Sequence, residues 1–333
     1  MRILLVTQRI DDDDDLLGFF VEWVRRLAAR VEAVHVVARE VRSHSLPPNV
    51  RVHSLGKEHG AGRLSRLARL QAILFRLLVR ERSADAVLCH MCPEYALAAY
   101  PAARATGAPL FLWYTHGSPS LWLRLAHVVS NAILTASLDG FPLSGTNVVP
   151  TGHGIDLAKF RAGGARAENG KRVLLSLGRI SPVKAHEVVI RALSQLVHEN
   201  GMTDLELRIV GETPLPSQRW YFDGLQRLVR HEQLENRVRF VGSVPYRDIH
   251  RHLRECDVFV SASKTGSLDK APLEAMASGK AVLTSNTAFR AELGGLEDRL
   301  MFRQDDAGDL AAKLGGLLDV DRGELTAIGE RLR

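Results

Sequence analysis

Cysteine is scarce here: the chain carries three in 333 residues, too few for a disulfide framework. Cys89 and Cys92 form a lone C-x-x-C, and Cys256 stands far along the chain. A structural zinc wants four ligands, so burial at a strand end is the favoured reading of the pair, with a redox role as the other. Aromatic residues make up only 6% and nowhere interleave with a basic stripe. With no zinc-finger or RNA-binding motif either, no nucleic-acid partner is expected. No uncharged apolar run approaches the roughly 18 residues needed to span a bilayer. The opening MRILLVTQRIDDDDD meets five aspartates too early for a signal peptide and reads as a buried first strand. Cytoplasmic residence is the expectation.

What the chain does have is an ordinary globular composition, with 46% apolar and 25% charged residues, over a length that suits two domains. The net charge of +6 and a pI near 9.4 suit a phosphate-bearing or polyanionic partner without identifying it. Short apolar runs at 3–7, 33–38, 86–90, 110–114, 132–135 and 147–149 read as strands, with helical segments at 18–30, 65–80 and 94–106 between them. The pattern softens at 161–171, RAGGARAENGK, where glycines and mixed charges replace apolar periodicity. A second series follows, with strands at 173–177, 205–210, 238–241, 258–261, 281–284 and a further candidate at 300–302. Its helices are expected at 184–199, 220–231, 246–255 and 273–278. Strands alternating with helices predict an α/β fold with largely parallel sheets. Two such domains in tandem, 1–162 and 163–333, would face a central cleft.

Three stretches of the second half carry chemistry. In LLSLGRISPVKAHEVVIRAL a strand ends at Gly178, and Arg179 and Lys184 precede a helix. Glycine admits close approach to a ligand, arginine offers a fork for phosphate oxygens, and lysine offers a mobile charge. A helix N-terminus would favour the same anion. The alternative is a pair of solvated cations. In SASKTGSLDKAPLEAMASGKAVLTSN a polar loop leads to a helix expected near Pro272, with the Lys270, Ala271 and Leu273 region presenting amides. Glu274 is expected in its first turn, where a carboxylate can accept sugar hydroxyls or complement the helix dipole. In VRFVGSVPYRDIHRHL the backbone at Ser243 and Val244 can read a base edge.

These stretches, with RIVGE at Gly211 and with YTHG and VVPTGHGIDLAKF in the first half, resemble the retaining glycosyltransferases of the two-Rossmann-domain (GT-B) fold, group 4. The resemblance implies a first domain on the acceptor side and a second that binds a nucleotide-sugar. It implies a diphosphate on Arg179 and Lys184, a ribose on Glu274 and a base near Ser243 and Val244. Gly18, Gly178 and Gly211 would lie close to the ligand, and Asp269, Lys270, Ala271, Pro272 and Leu273 would form the loop and helix start beneath it. His116 would hydrogen-bond the donor sugar, and cations would stabilise the leaving diphosphate without a metal. Beyond the nucleotide-sugar donor no cofactor is implied. The acceptor, a sugar or lipid-linked sugar of cell-envelope type, is not legible. One departure stands out: the family's earlier glutamate would fall at Gly266. Asp269 either supplies that carboxylate or pairs locally with Lys270. A non-catalytic nucleotide-sugar binder and an epimerase of the same fold are the rival functions.

Other features of the first half stay open. Five adjacent aspartates, 11–15, more often form a solvated turn than a metal site. His153, flanked by glycines, is expected to shape the cleft, and His90 to line it. The segment 62–82 repeats arginine against leucine at helical spacing, with Leu64, Leu67, Leu70, Leu74, Leu77 and Leu78 on one face. It either covers its own sheet or docks peripherally on the inner, anionic face of a membrane. The apolar and basic segment 121–129 leans to the second. After GELTAIGERLR, a truncated terminus and a short variant are equally open.

Overall fold

The run ILLV in β1 (Arg2–Ile10) is shielded on both sides. Leu4 and Val6 point to one apolar cluster, Ile3 and Leu5 to another. Period-2 alternation between two dry layers is what a parallel sheet covered by helices requires. The computed structural model describes residues 1–163, 171–213 and 215–333. Two compact units divide after Gly152, and the first also takes in Pro245–Arg247. The expected boundary was 162/163, in a linker of which 164–170 lie outside the described residues.

In the first unit β1 is followed by α1 (Gly18–Ala28), β2 (Ala33–Val41), β3 (Val50–Ser54) and α2 (Arg63–Leu74), whose end widens into a π-turn at Phe75–Arg80. Then come β4 (Ala86–His90), α3 (Pro93–Thr106), β5 (Leu110–Trp113), α4 (Leu121–Val129), β6 (Ala132–Thr135) and β7 (Val148–Pro150). The seven strands run parallel in the order β3-β2-β1-β4-β5-β6-β7. Strand β3, VRVHS, escaped the sequence reading because it is a short edge strand with no fully buried residue. Helices α2, α3 and α4 share one apolar cluster with the sheet, and α1 belongs to the other.

The expected stripe of α2 is divided by the structure. Leu70, Leu74, Leu77 and Leu78 are buried, whereas Leu64 and Leu67 are 84% and 47% exposed.

The second unit contains β8 (Arg172–Leu177), α5 (His186–His198), β9 (Leu205–Val210), α6 (Arg219–His231), β10 (Val238–Gly242) and α7 (Ile249–Glu255). It continues with β11 (Val258–Ser261), α8 (Lys270–Ala277), β12 (Ala281–Thr284), α9 (Glu297–Leu300), α10 (Ala307–Leu318) and α11 (Arg322–Leu332). Its parallel sheet has the order β10-β9-β8-β11-β12, the Rossmann arrangement. The candidate strand at 300–302 reduces to a single bridge between Met301 and Thr284.

Candidate functional site

The order of the second sheet reverses between β8 and β11: the chain steps outward from β8 to β9 and β10, then returns to β11 and β12. Connections leaving the carboxyl ends of two such strands run to opposite sides and leave a crevice between them. Gly178, Arg179 and Lys184 follow β8; Asp269 to Glu274 follow β11. The sequence motifs therefore stand at this crevice.

Glycines let the strand ends crowd together. A Cβ on Gly211 would come 1.9 Å from the Gly178 carbonyl oxygen, so no other residue fits there. The Gly178 amide donates to Val210 O at 2.9 Å, and the Gly211 amide to Gly242 O at 2.9 Å. After a 3-10 turn at Pro182–Lys184, Ala185 takes a left-handed φ of 47° and α5 begins. His186 is fully enclosed; its Nδ1 lies 3.2 Å from Ser176 Oγ and its Nε2 3.4 Å from Arg179 O. Burial lowers its pKa to about 4, so the ring is neutral. The tautomer that satisfies both contacts donates from Nε2 to the Arg179 carbonyl, which ties the backbone of the arginine turn to the helix. Its own amide donates to the Tyr221 hydroxyl at 2.9 Å, which donates in turn to Glu187. The first amide of α5 is thus taken by a tyrosine. The Arg179 side chain is partly exposed and has no ion pair among the described residues.

Lys184 lies across Gly178, its Cε 3.5 Å from where a Cβ would stand. Its ammonium reaches Asp269 Oδ2 at 2.8 Å and Ser263 Oγ at 3.3 Å. Asp269 thus pairs with Lys184, not with Lys270 as one alternative had it. Lys270 pairs with Glu274 at 2.9 Å, one helical turn away. Helix α8 begins at Lys270, earlier than the expected start near Pro272. Ahead of Leu273, only Lys270 and Ala271 carry N–H groups in its first turn, since Pro272 has none. Glu274 falls in the second turn, not the first, and is 2% exposed. Gly266 adopts φ +66° at an exposed point of the loop, a conformation that a glutamate takes only with strain.

Ser243 is exposed and Val244 partly buried in the loop after β10. Beside Gly211 and Gly242 lies a cavity of about 150 Å³, lined also by Ile180, Arg219, Phe222 and Phe240. The Arg219 guanidinium sits 5.1 Å from the Phe222 ring centre, and Phe222 meets Phe240 edge-on at 5.2 Å. The sequence reading passed over these three residues; their signal is weak, two residues one turn apart on α6 and a third on a neighbouring strand. His153 belongs to this unit, and its Nε2 lies 2.9 Å from the Leu268 carbonyl oxygen.

Gly18 and His116 belong to the first unit. His116 is exposed beyond β5, its ring 5.6 Å from that of Tyr114. A Cβ on Gly18 would stand 2.9 Å from Tyr246 Cβ, so the glycine makes room for that side chain. The aspartates are employed internally. Asp14 pairs with Arg9 and accepts the amides of Leu16 at 2.9 Å and Leu17 at 2.6 Å, and Asp12 grips Arg25 at 2.6 and 2.8 Å. Among the described residues no cluster of three or more His, Cys, Asp or Glu side chains could hold a metal ion. Cys89 and Cys92 are buried free thiols whose pKa values burial pushes up, and Cys256 is pushed up to about 12. His90 is 1% exposed, stacked 4.2 Å from Phe20 and 5.2 Å from Trp113.

Known proteins resemble the chain along both units. The family model for glycosyl transferases group 1 matches residues 171–320, and that for glycosyl transferase 4-like proteins matches 13–141. A D-inositol 3-phosphate glycosyltransferase of Nocardia farcinica is 31% identical over 221 residues, 62% of this chain and 47% of that protein. A lipopolysaccharide core biosynthesis mannosyltransferase of Rhizobium leguminosarum is 29% identical over 150 residues, 42% of this chain and 41% of its own. The chain thus spans less than half the length of these curated relatives. Among solved structures, Anabaena HepE in complex with UDP and glucose superimposes with a TM-score of 0.76 at 16% identity, over 100% of this chain and 93% of the other. Sucrose-phosphate synthase of Thermosynechococcus elongatus gives 0.75 at 16%, over 99% and 92%. At such identities the structural likeness is one of fold.

Proposed function

From a chain that has the GT-B fold and is related to the group 1 and 4-like glycosyl transferases, we propose a retaining glycosyltransferase that moves a sugar from a nucleotide diphosphate donor to an acceptor hydroxyl. The observation that carries this reading is the gathering of Arg179, Lys184 and Lys270 at the strand-order reversal of the second sheet, beside glycines that admit close approach. The sugar C1–O bond breaks, and the electron pair leaves with the diphosphate. Charge therefore develops on phosphate oxygens, where fixed cations stabilise the transition state more than the ground state. Arg179 and Lys184 take that charge, so the step needs no metal.

Glu274 holds the ribose hydroxyls. The base enters the cavity lined by Phe222, Phe240, Val241 and Gly242, with the Ser243 and Val244 backbone next along the chain. Asp269 gives Oδ2 to Lys184 and meets a donor hydroxyl with Oδ1, in place of the carboxylate missing at Gly266. His116 contacts the donor sugar. The acceptor is a lipid-linked or cell-envelope glycan, in keeping with the name of the Rhizobium relative. The protein works in the cytoplasm, in peripheral contact with anionic lipid through 62–82. Leu64 and Leu67, exposed between arginines, support that contact, as do exposed Leu121, Trp122, Leu125 and Val128 on α4.

The deciding experiment incubates the protein with UDP-, GDP- and ADP-sugars and follows release of the nucleoside diphosphate, with and without EDTA. Consumption of one donor that persists in EDTA is expected. Absence of both turnover and binding for all three would reject the reading.

A further inference from the structure

Asn286, just beyond the end of β12, is 3% exposed, and its amide is fully oriented. Its Oδ1 accepts the Ala288 amide at 3.1 Å and so caps the 3-10 turn that follows. Nδ2 must then point the other way, and it donates to Ser267 O at 2.7 Å and to Thr265 Oγ1 at 3.4 Å. Both acceptors lie in the loop that leads from β11 to α8.

That loop is held at further points. The Lys264 amide donates to Val183 O at 2.8 Å, inside the turn that precedes Lys184. The Lys264 side chain pairs with Asp305. Within the loop, the Thr265 hydroxyl donates to Asp269 Oδ2 at 3.2 Å and lies 3.1 Å from Ser263 Oγ. Among the described residues, Asp269 and Ser263 are the two groups that receive the Lys184 ammonium. An ammonium has three N–H bonds. Two are spoken for, and their directions fix the third.

We propose that Asn286 is a positioning residue for the donor diphosphate: through Ser267, Thr265 and Asp269 it sets the direction in which Lys184 presents its remaining N–H bond. This rests on the reading that Arg179 and Lys184 take the diphosphate, and gives a role to the last residue of the stretch SASKTGSLDKAPLEAMASGKAVLTSN, to which that reading assigned none. An aspartate in the same place would keep the acceptor for Ala288 but lose the donor to Ser267 O. It would also set a second negative charge facing the loop that carries Asp269.

The test uses the whole chain and measures calorimetric affinity for UDP, GDP and ADP, with the matching nucleosides followed by saturation-transfer NMR. In Asn286→Asp, affinity for the favoured diphosphate should fall roughly tenfold to a hundredfold, the scale of an ångström-sized misplacement, while the nucleoside binds as before. Thr265→Val, which removes the hydroxyl that reaches Asp269, should reproduce the phosphate-selective loss. In a Lys184→Ala background, Asn286→Asp should add little, because both changes act on one interaction. Equal losses for nucleoside and diphosphate, unchanged diphosphate affinity, or additive losses in the double variant would each overturn the proposal. If the unaltered protein binds none of the three diphosphates, the functional reading itself fails and takes this one with it.

Discussion

A lysine held by an aspartate is usually a stabilising pair of small worth at a surface. Lys184 and Asp269 differ in their setting: side chains 15% and 16% exposed, at the end of a strand beside glycines, with Arg179, which has no ion pair among the described residues, in the same turn. Alanine at Arg179 or at Lys184 should lower donor turnover by roughly 10²–10³, the cost of removing one group that stabilises developing charge. Steady-state rates settle this, and near-normal rates in both variants would remove them from the reaction. Asp269→Asn separates two jobs. If Asp269 both orients Lys184 and meets the sugar, turnover should fall further than affinity for the bare nucleoside diphosphate. Equal losses would leave only the orienting job. These residue types and their order were legible in the sequence. That Asp269 serves Lys184 was not, because residues 85 positions apart pair only once two strands lie side by side.

At the scale of elements, α5 is anchored by a neutral histidine. His186 has a pKa of about 4 in the fold, lowered by burial, against about 6.5 in an unfolded chain. Above pH 6.5 the ring is neutral in both states and its stabilisation is complete. Between pH 6.5 and 4 the unfolded chain takes up the proton first, so stability falls as pH falls through that window, by up to about 1.4 kcal/mol per unit. His53, also lowered to about 4 by burial and by His35 and Arg76, adds to the loss in the same direction. The midpoint of thermal unfolding should therefore drop between pH 7.5 and 5.5, and drop less in His186→Gln. An identical drop in the variant would mean that the ring is not the group responsible. Sequence periodicity located α5 and most strands well, since apolar spacing is a local property. It misjudged the start of α8, because proline is allowed at several positions of a first turn.

At the scale of the whole molecule, a net charge of +6 is compatible with a phosphate-bearing ligand and with an anionic surface alike. The proposed lipid contact predicts that the protein sediments with phosphatidylglycerol vesicles but not with neutral phosphatidylcholine. The association should weaken as salt rises, because exposed charges are screened within about 10 Å at 0.1 M. Changing Leu64 and Leu67 to glutamate should release it without altering donor turnover in solution. Vesicle binding that ignores both salt and these substitutions would reject the segment.

The sequence by itself determined the alternation of strands and helices, the presence of two α/β units, and the cations and glycines of the phosphate-like motif. Each of these is written in local spacing or in residue chemistry. Only the tertiary structure decided which leucines of α2 face the sheet, that Gly18 yields space to Tyr246, and that Tyr221 takes the first amide of α5. It alone joined Asn286 to Thr265 and Asp269 to Lys184. The Lys184–Asp269 pair crosses between the ends of β8 and β11, where strand order reverses, and the Asn286–Thr265 contact between the neighbouring ends of β11 and β12; no periodicity along the chain records which loops will meet there.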